Sequence, residues 1–164
     1  MRVLAIDPGY GRCGVAVLER LPAQAGTQGG KEIVLYSDCI ETSAKEDFPT
    51  RLGAVASECA RLIKKHKPDS LAMEKLYFST NQKTAMQVAE VRGAIIGVAA
   101  ESGVPVFEYT PGEIKSAAGG SGRADKRQVA AMLHVLVKIE KKIKHDDEYD
   151  AIAVGVTHLA RHRR

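Results

Sequence analysis

At 164 residues, with 45% hydrophobic and 27% charged residues, the chain has the length of one domain with an ordinary buried core, read here as 1–164 with a basic tail over about 160–164 as a second candidate for disorder after the 22–30 link. No apolar run approaches the ~18–20 residues that span a bilayer, and Met1-Arg2 runs straight into the first predicted strand, so neither a membrane span nor a leader is expected and the reading is cytoplasmic. The net charge of +4 is uneven: residues 1–60 hold 6 Lys/Arg against 8 Asp/Glu and residues 61–164 hold 18 against 12, a basic excess that favours a polyanionic partner such as nucleic acid.

The elements follow in chain order. Residues 2–7 read as a buried strand, Gly14 to Leu18 as a second and Ile33 to Asp38 as a third. The connections among them are too short for helical crossovers, which predicts an antiparallel meander. Within it, PAQAGTQGG (22–30) is a turn-rich, flexible link. Phe48, Leu52, Val55, Cys59 and Leu62 recur at helical spacing, so an amphipathic helix is expected to end before Lys67-Pro68. A short apolar strand, Ser70 to Met73, is terminated by Glu74. From about Lys83 to Glu101 a second helix carries apolar residues on more than one face, as an element central in the fold or shared with a partner subunit would.

Val104 to Tyr109 reads as a fifth strand, and Thr110-Pro111-Gly112-Glu113 as a capping box with proline at the first helical position. The GGSG of residues 119–122 breaks that helix. Val129, Met132, Leu133 and Leu136 mark another helix, and a last one starts near Asp146 or Asp147. The pattern is a mixed five-stranded sheet flanked by helices. Cys13, Cys39 and Cys59 are odd in number and lack CxxC spacing, so reduced thiols are expected.

Two strand-like runs, LAID and LAME, each end on one acid, Asp7 and Glu74. A third acidic group, DDEYD, opens the last helix, where Asp147 and Asp150, three apart, project from the same side of the first turn. Each acid alone also reads as a cap or a salt-bridge partner, and an acidic first turn is favoured by the helix dipole alone. Together they can converge at one edge of a sheet. Clustered carboxylates repel unless a cation neutralises them. Hard oxygen ligands suit Mg²⁺ or Mn²⁺, and two such ions ~3.5–4 Å apart would support phosphodiester hydrolysis.

Four segments carry a resemblance: IDPGYGRCGVAV, AMEKLYFSTNQKTAMQVAEVRGAI, EYTPGEIKSAAGGSGRADKRQVAAML and DEYDAIAVGVTH. In this order and over nearly the whole chain they resemble the RuvC family of bacterial Holliday-junction resolvases. The resemblance implies a ribonuclease H-like α/β fold and a homodimer that nicks two strands of a four-way junction symmetrically. It places the family's metal-binding, catalytic acids on Asp7, Glu74, Asp147 and Asp150, with Mg²⁺ as cofactor, Mn²⁺ able to substitute and two ions per site. Asp146 is then left as an N-cap. A branch-migration motor of the RuvA and RuvB kind is implied as partner by the resemblance alone.

Beside Glu74, either aromatic of Tyr77-Phe78 suits stacking on an unpaired base, an interaction worth ~1–3 kcal/mol; the resemblance implies Tyr77 for that contact, leaving Phe78 to the core. Lys115, Arg123 and Lys126 flank the glycine segment and suit phosphate contacts. Asn81 and Lys83 are further candidate backbone contacts; the five histidines show no ligand spacing, and His145, closest to the acids, reads as a surface residue with proton transfer as the alternative. Three competing readings need different features. Asp-x-Gly also opens nucleotide-binding kinase folds, but those need a second lobe and no repeat is visible. A junction-binding module without catalysis would lack one of the acids. A nuclease of the same fold acting on RNA would lack the AMEKLYF and GRADK segments.

Overall fold

The computed structural model describes residues 1–22, 32–76 and 82–162. Three strands come first, β1 (Arg2–Asp7), β2 (Arg12–Arg20) and β3 (Glu32–Glu41), followed by α1 (Phe48–His66), β4 (Ser70–Glu74), α2 (Gln82–Glu101), β5 (Val106–Tyr109), α3 (Pro111–Gly119), α4 (Lys126–Leu136) and α5 (Asp146–Arg161). The sheet order is β3-β2-β1-β4-β5. β1 is antiparallel to β2 and β2 to β3, which is the expected meander, and β4 and β5 add in parallel after helical crossovers. β2 and β3 are longer than the sequence suggested. β5 is shorter, starting at Val106 instead of Val104. The link beyond Pro22 lies outside the described residues.

Period-two alternation divides the sheet between two cores. Leu4, Ile6, Val15, Val17, Leu71 and Met73 face α1 and α2. Val3, Ala5, Ala16, Leu18 and Ala72 face α3, α4 and α5. On the second face the small side chains admit α5 closely: a Cβ on Gly155 would meet Leu18 Cδ1 at 2.4 Å. The same alternation puts Asp7 on the face of Val3 and Ala5, and Glu74 on the face of Ala72. The parallel register stops at Ile6–Met73, so the two acids stand side by side, one residue beyond it, on the side covered by α5.

Helix ends follow local chemistry. Asp47 caps α1 by accepting from Thr50 N at 2.9 Å, and Lys67 closes it in a left-handed conformation (φ 47°). Thr110 and Glu113 form both bonds of the expected capping box. Asp125 and Gln128 form a second box at α4. In α4 only Val129 and Leu133 are buried, and Met132 and Leu136 are partly exposed. At α5 the expected cap is displaced by one: His145 is the N-cap, without a side-chain cap bond, and Asp146 is the first helical residue. All three cysteines are free thiols; Cys13 and Cys59 are buried. Among the described residues no helix is long and apolar enough to cross a membrane.

Candidate active site

Asp7 and Glu74 end neighbouring strands, and Asp147 and Asp150 come to them on the first two turns of α5. A close approach of β2 fixes that turn: a Cβ on Gly14 would lie 1.8 Å from the Asp147 carbonyl oxygen. Behind it, buried Glu148 pairs with Lys141 Nζ at 2.7 Å, and the same ammonium donates to the Ser37 carbonyl at 2.6 Å. The start of α5 is thereby tied to β3 as well as to β2.

The four acids feel one another. Burial, then the charges of Asp150, Glu74 and Asp147, push the Asp7 carboxyl up to about 8. Burial and Asp150 also raise Glu74, against the opposing charges of Lys115, Arg92 and Lys126. Asp150 is raised by burial, against Lys126. Two cations answer this crowding. Lys126 Nζ lies 3.3 Å from Asp150 Oδ2, and Arg12 Nε lies 3.4 Å from Asp147 Oδ2. His145 engages Glu41 and Arg12, with Nε2 3.0 Å from Glu41 Oε1 and Nδ1 3.4 Å from an Arg12 nitrogen.

A cavity of about 330 Å³ is lined by Asp7, Glu74, Lys75, Val88, Arg92 and Pro111 among others. A second, of about 240 Å³, includes Glu74, Pro111, Lys115, Lys126 and Asp150. Glu74 and Pro111 stand on the wall common to both. A larger hollow of about 630 Å³ beside α4 is lined by Arg123, Met132 and Val135, away from the carboxylates.

Of the residues expected from the sequence, the four acids, Lys115 and Lys126 share this edge of the sheet, and Arg123 does not line either carboxylate cavity. Tyr77 and Asn81 lie outside the described residues, as does the side chain of Lys83, whose backbone is in the first turn of α2. Among the described residues no three acids, histidines or cysteines are drawn together into a ready-made metal cage. Like-charged carboxylates repel, and Arg12 and Lys126 hold two of them from outside. The donor set itself suits a hard divalent cation, since the coupled groups are all carboxylate oxygens. Sequence reasoning missed Arg12 and Arg92. Arg92 had no signal, because a basic residue within a helix ordinarily marks the solvated side.

The family model described as crossover junction endodeoxyribonuclease RuvC matches residues 3–158. The protein of that name from Moorella thermoacetica is 41% identical over 160 residues, 98% of this chain and 92% of that protein. Its counterpart from Petrotoga mobilis is 41% identical over 158 residues, 96% and 93%. The solved Thermus thermophilus RuvC superposes with a TM-score of 0.85 at 29% identity, covering 98% of this chain and 96% of that one. The T. thermophilus protein in complex with Holliday junction substrate gives 0.86 at the same identity, covering 97% and 93%. The yeast mitochondrial Holliday junction resolvase Ydc2, 16% identical with a TM-score of 0.69 over 94% and 76%, shares the fold. The chain belongs to the RuvC family of crossover junction endodeoxyribonucleases, built on the ribonuclease H-like mixed sheet.

Proposed function

We propose that Asp7, Glu74, Asp147 and Asp150 bind divalent cations, Mg²⁺ with Mn²⁺ able to substitute and two per site, and that this centre nicks two strands of a four-way DNA junction. The observation that carries the reading is the crowding of the acids, which leaves Asp7 raised to about 8 by burial and three like charges. A cation among the oxygens relieves both penalties. Bound ions of this kind activate a water and stabilise the leaving oxygen of a phosphodiester.

The protein's own groups do the rest. The strand ends hold Asp7 and Glu74 on a rigid base, while α5 brings Asp147 and Asp150 over them. Lys126, exposed apart from its contact with Asp150, and Lys115 line the groove beside Glu74 and supply phosphate contacts that position the DNA without reading it. Arg123, farther along α3–α4, extends the basic surface. Tyr77 stacks on an opened base, with Asn81 and Lys83 contacting the backbone nearby.

The enzyme acts as a homodimer through α2. On that helix Met86 is 66% exposed and Ile96 37%, and among the described residues nothing lies within 4 Å of where a Cβ on Gly93 or Gly97 would stand. A two-fold enzyme matches a two-fold substrate. Work in the cytoplasm beside a branch-migration motor of the RuvA and RuvB kind belongs to the same proposal and rests on the family.

The test is incubation of the protein with Mg²⁺ and, in parallel, a synthetic four-way junction, linear duplex and single-stranded RNA. Paired, symmetric nicks on the junction alone are expected. Tight junction binding without cutting would point to a non-catalytic binding module, and cutting of the RNA to a processing nuclease of the same fold.

A further inference from the structure

Arg92 places a charge where burial is costly. It sits in the middle of α2, 8% exposed, beside buried Val91. One guanidinium nitrogen, Nη1, donates to the backbone carbonyl of Glu74. The other, Nη2, donates to the Glu108 carboxylate. A buried guanidinium is tolerated when it is paired and hydrogen-bonded, and these acceptors take one donor from each of its terminal nitrogens.

Where the acceptors lie gives the arrangement its meaning. The β1–β4 ladder stops at Ile6 and Met73, so Glu74 is the first residue of β4 without a partner on β1. On its other side β4 is still held, since Glu74 is in register with Tyr109 of β5 and Lys75 N donates to Tyr109 O at 2.7 Å. Arg92 takes up the carbonyl that the ladder leaves over, and anchors it to Glu108, the neighbour of Tyr109 in β5. The same side chain lines the cavity that holds the Asp7 and Glu74 side chains.

We propose that Arg92 is a positioning residue: by clamping the Glu74 main chain to Glu108 it fixes the direction in which the Glu74 carboxylate meets Asp7 and the metal ions. This rests on the reading of Glu74 as a metal-binding acid. A planar fork holds two acceptors in one geometry, which an ammonium does not do. Lysine at this position therefore restores charge and part of the clamp. Glu108→Gln leaves Arg92 and its bond to Glu74 in place but loosens the anchor.

The experiment compares wild type with Arg92→Lys, Arg92→Ala, Glu108→Gln and Glu74→Gln. Mn²⁺ affinity is read by calorimetry on DNA-free protein, junction affinity in EDTA, and nicking over a Mg²⁺ series. Arg92→Ala is expected to weaken Mn²⁺ binding by about 10–100-fold, in the range for groups that orient metal ligands. Arg92→Lys and Glu108→Gln should fall between it and wild type, each raising the Mg²⁺ needed for half-maximal nicking in the same order. Junction affinity in EDTA should stay at the wild-type value. Should Arg92→Ala not fold, Glu108→Gln and Arg92→Lys carry the comparison. Wild-type Mn²⁺ affinity and Mg²⁺ dependence in the folded variants, with Glu74→Gln impaired, overturns the inference alone. A Glu74→Gln protein that binds Mn²⁺ and nicks like wild type overturns the reading of the site beneath it.

Discussion

Gly14 of β2 lies so close to Asp147 that a Cβ on it would stand 1.8 Å from the Asp147 carbonyl oxygen. Any larger residue there must push the start of α5, and with it Asp147 and Asp150, off the sheet edge. Gly14→Ala is therefore expected to lower stability by about 1–3 kcal/mol and to slow nicking by about 100-fold, the scale of an ångström's misplacement of a reacting group. Thermal unfolding and junction nicking check both effects. A variant unchanged in both would mean that α5 is not held by this contact.

Asp7 gives the metal-free protein a pH dependence of definite sign. Its carboxyl is raised from 3.8 to about 8, by burial first and by Asp150, Glu74 and Asp147 next. The folded state thus holds a proton that the unfolded state has released. The stability it contributes is full below about pH 4 and is lost as pH rises towards 8. In EDTA, unfolding of the wild type should show this decline, on the order of a few kcal/mol. Asp7→Asn should flatten it and be the more stable protein at pH 8.

The two strand acids were legible because alternation and strand ends are local properties. LAID and LAME each announce a buried run stopped by a charge, and the D-x-x-D spacing of Asp147 and Asp150 fixes a common helix side. The Thr110–Glu113 box was readable for the same reason. What was not legible depends on distant contacts. Gly14 has meaning only once β2 meets α5. Arg92 reads as a surface residue of a helix until β4 and β5 supply its acceptors. Asp146 had the chemistry of a cap, but the chain enters α5 one residue earlier, at His145.

His158 adds an opposite slope on the acid side. It is fully buried, with Nε2 2.8 Å from Ser70 Oγ and Nδ1 2.8 Å from the Tyr109 hydroxyl. Burial first, then His162 and Arg20, lower it from 6.5 to about 4. Its contribution to stability is present above about pH 6.5 and lost as pH falls towards 4, on the order of 3 kcal/mol. His158→Leu should shrink this acid limb while lowering stability at pH 7 by about 1–3 kcal/mol through the unpaired hydroxyls. Unfolding midpoints between pH 4 and 8 decide it.

Lys115 and Lys126 should reveal themselves by salt dependence. Each, changed to Ala, should weaken junction binding and reduce the slope of log affinity against log salt by about 1 if it contacts a phosphate. A slope equal to the wild type's would assign that lysine to solvation alone. For Lys126 the measurement belongs in Mg²⁺-free and Ca²⁺ buffers both, since its ammonium also rests on Asp150.

The central claim, that the four acids form a metal centre for cutting and not for holding the junction, is tested most directly with Asp7→Asn. Junction affinity and nicking would be measured side by side over a Mg²⁺ series, for this variant and for wild type. The expected result is affinity close to wild type, carried by phosphate contacts elsewhere, with no nicking at any Mg²⁺ concentration. Nicking at the wild-type rate would contradict the assignment of Asp7 and the metal centre built on it.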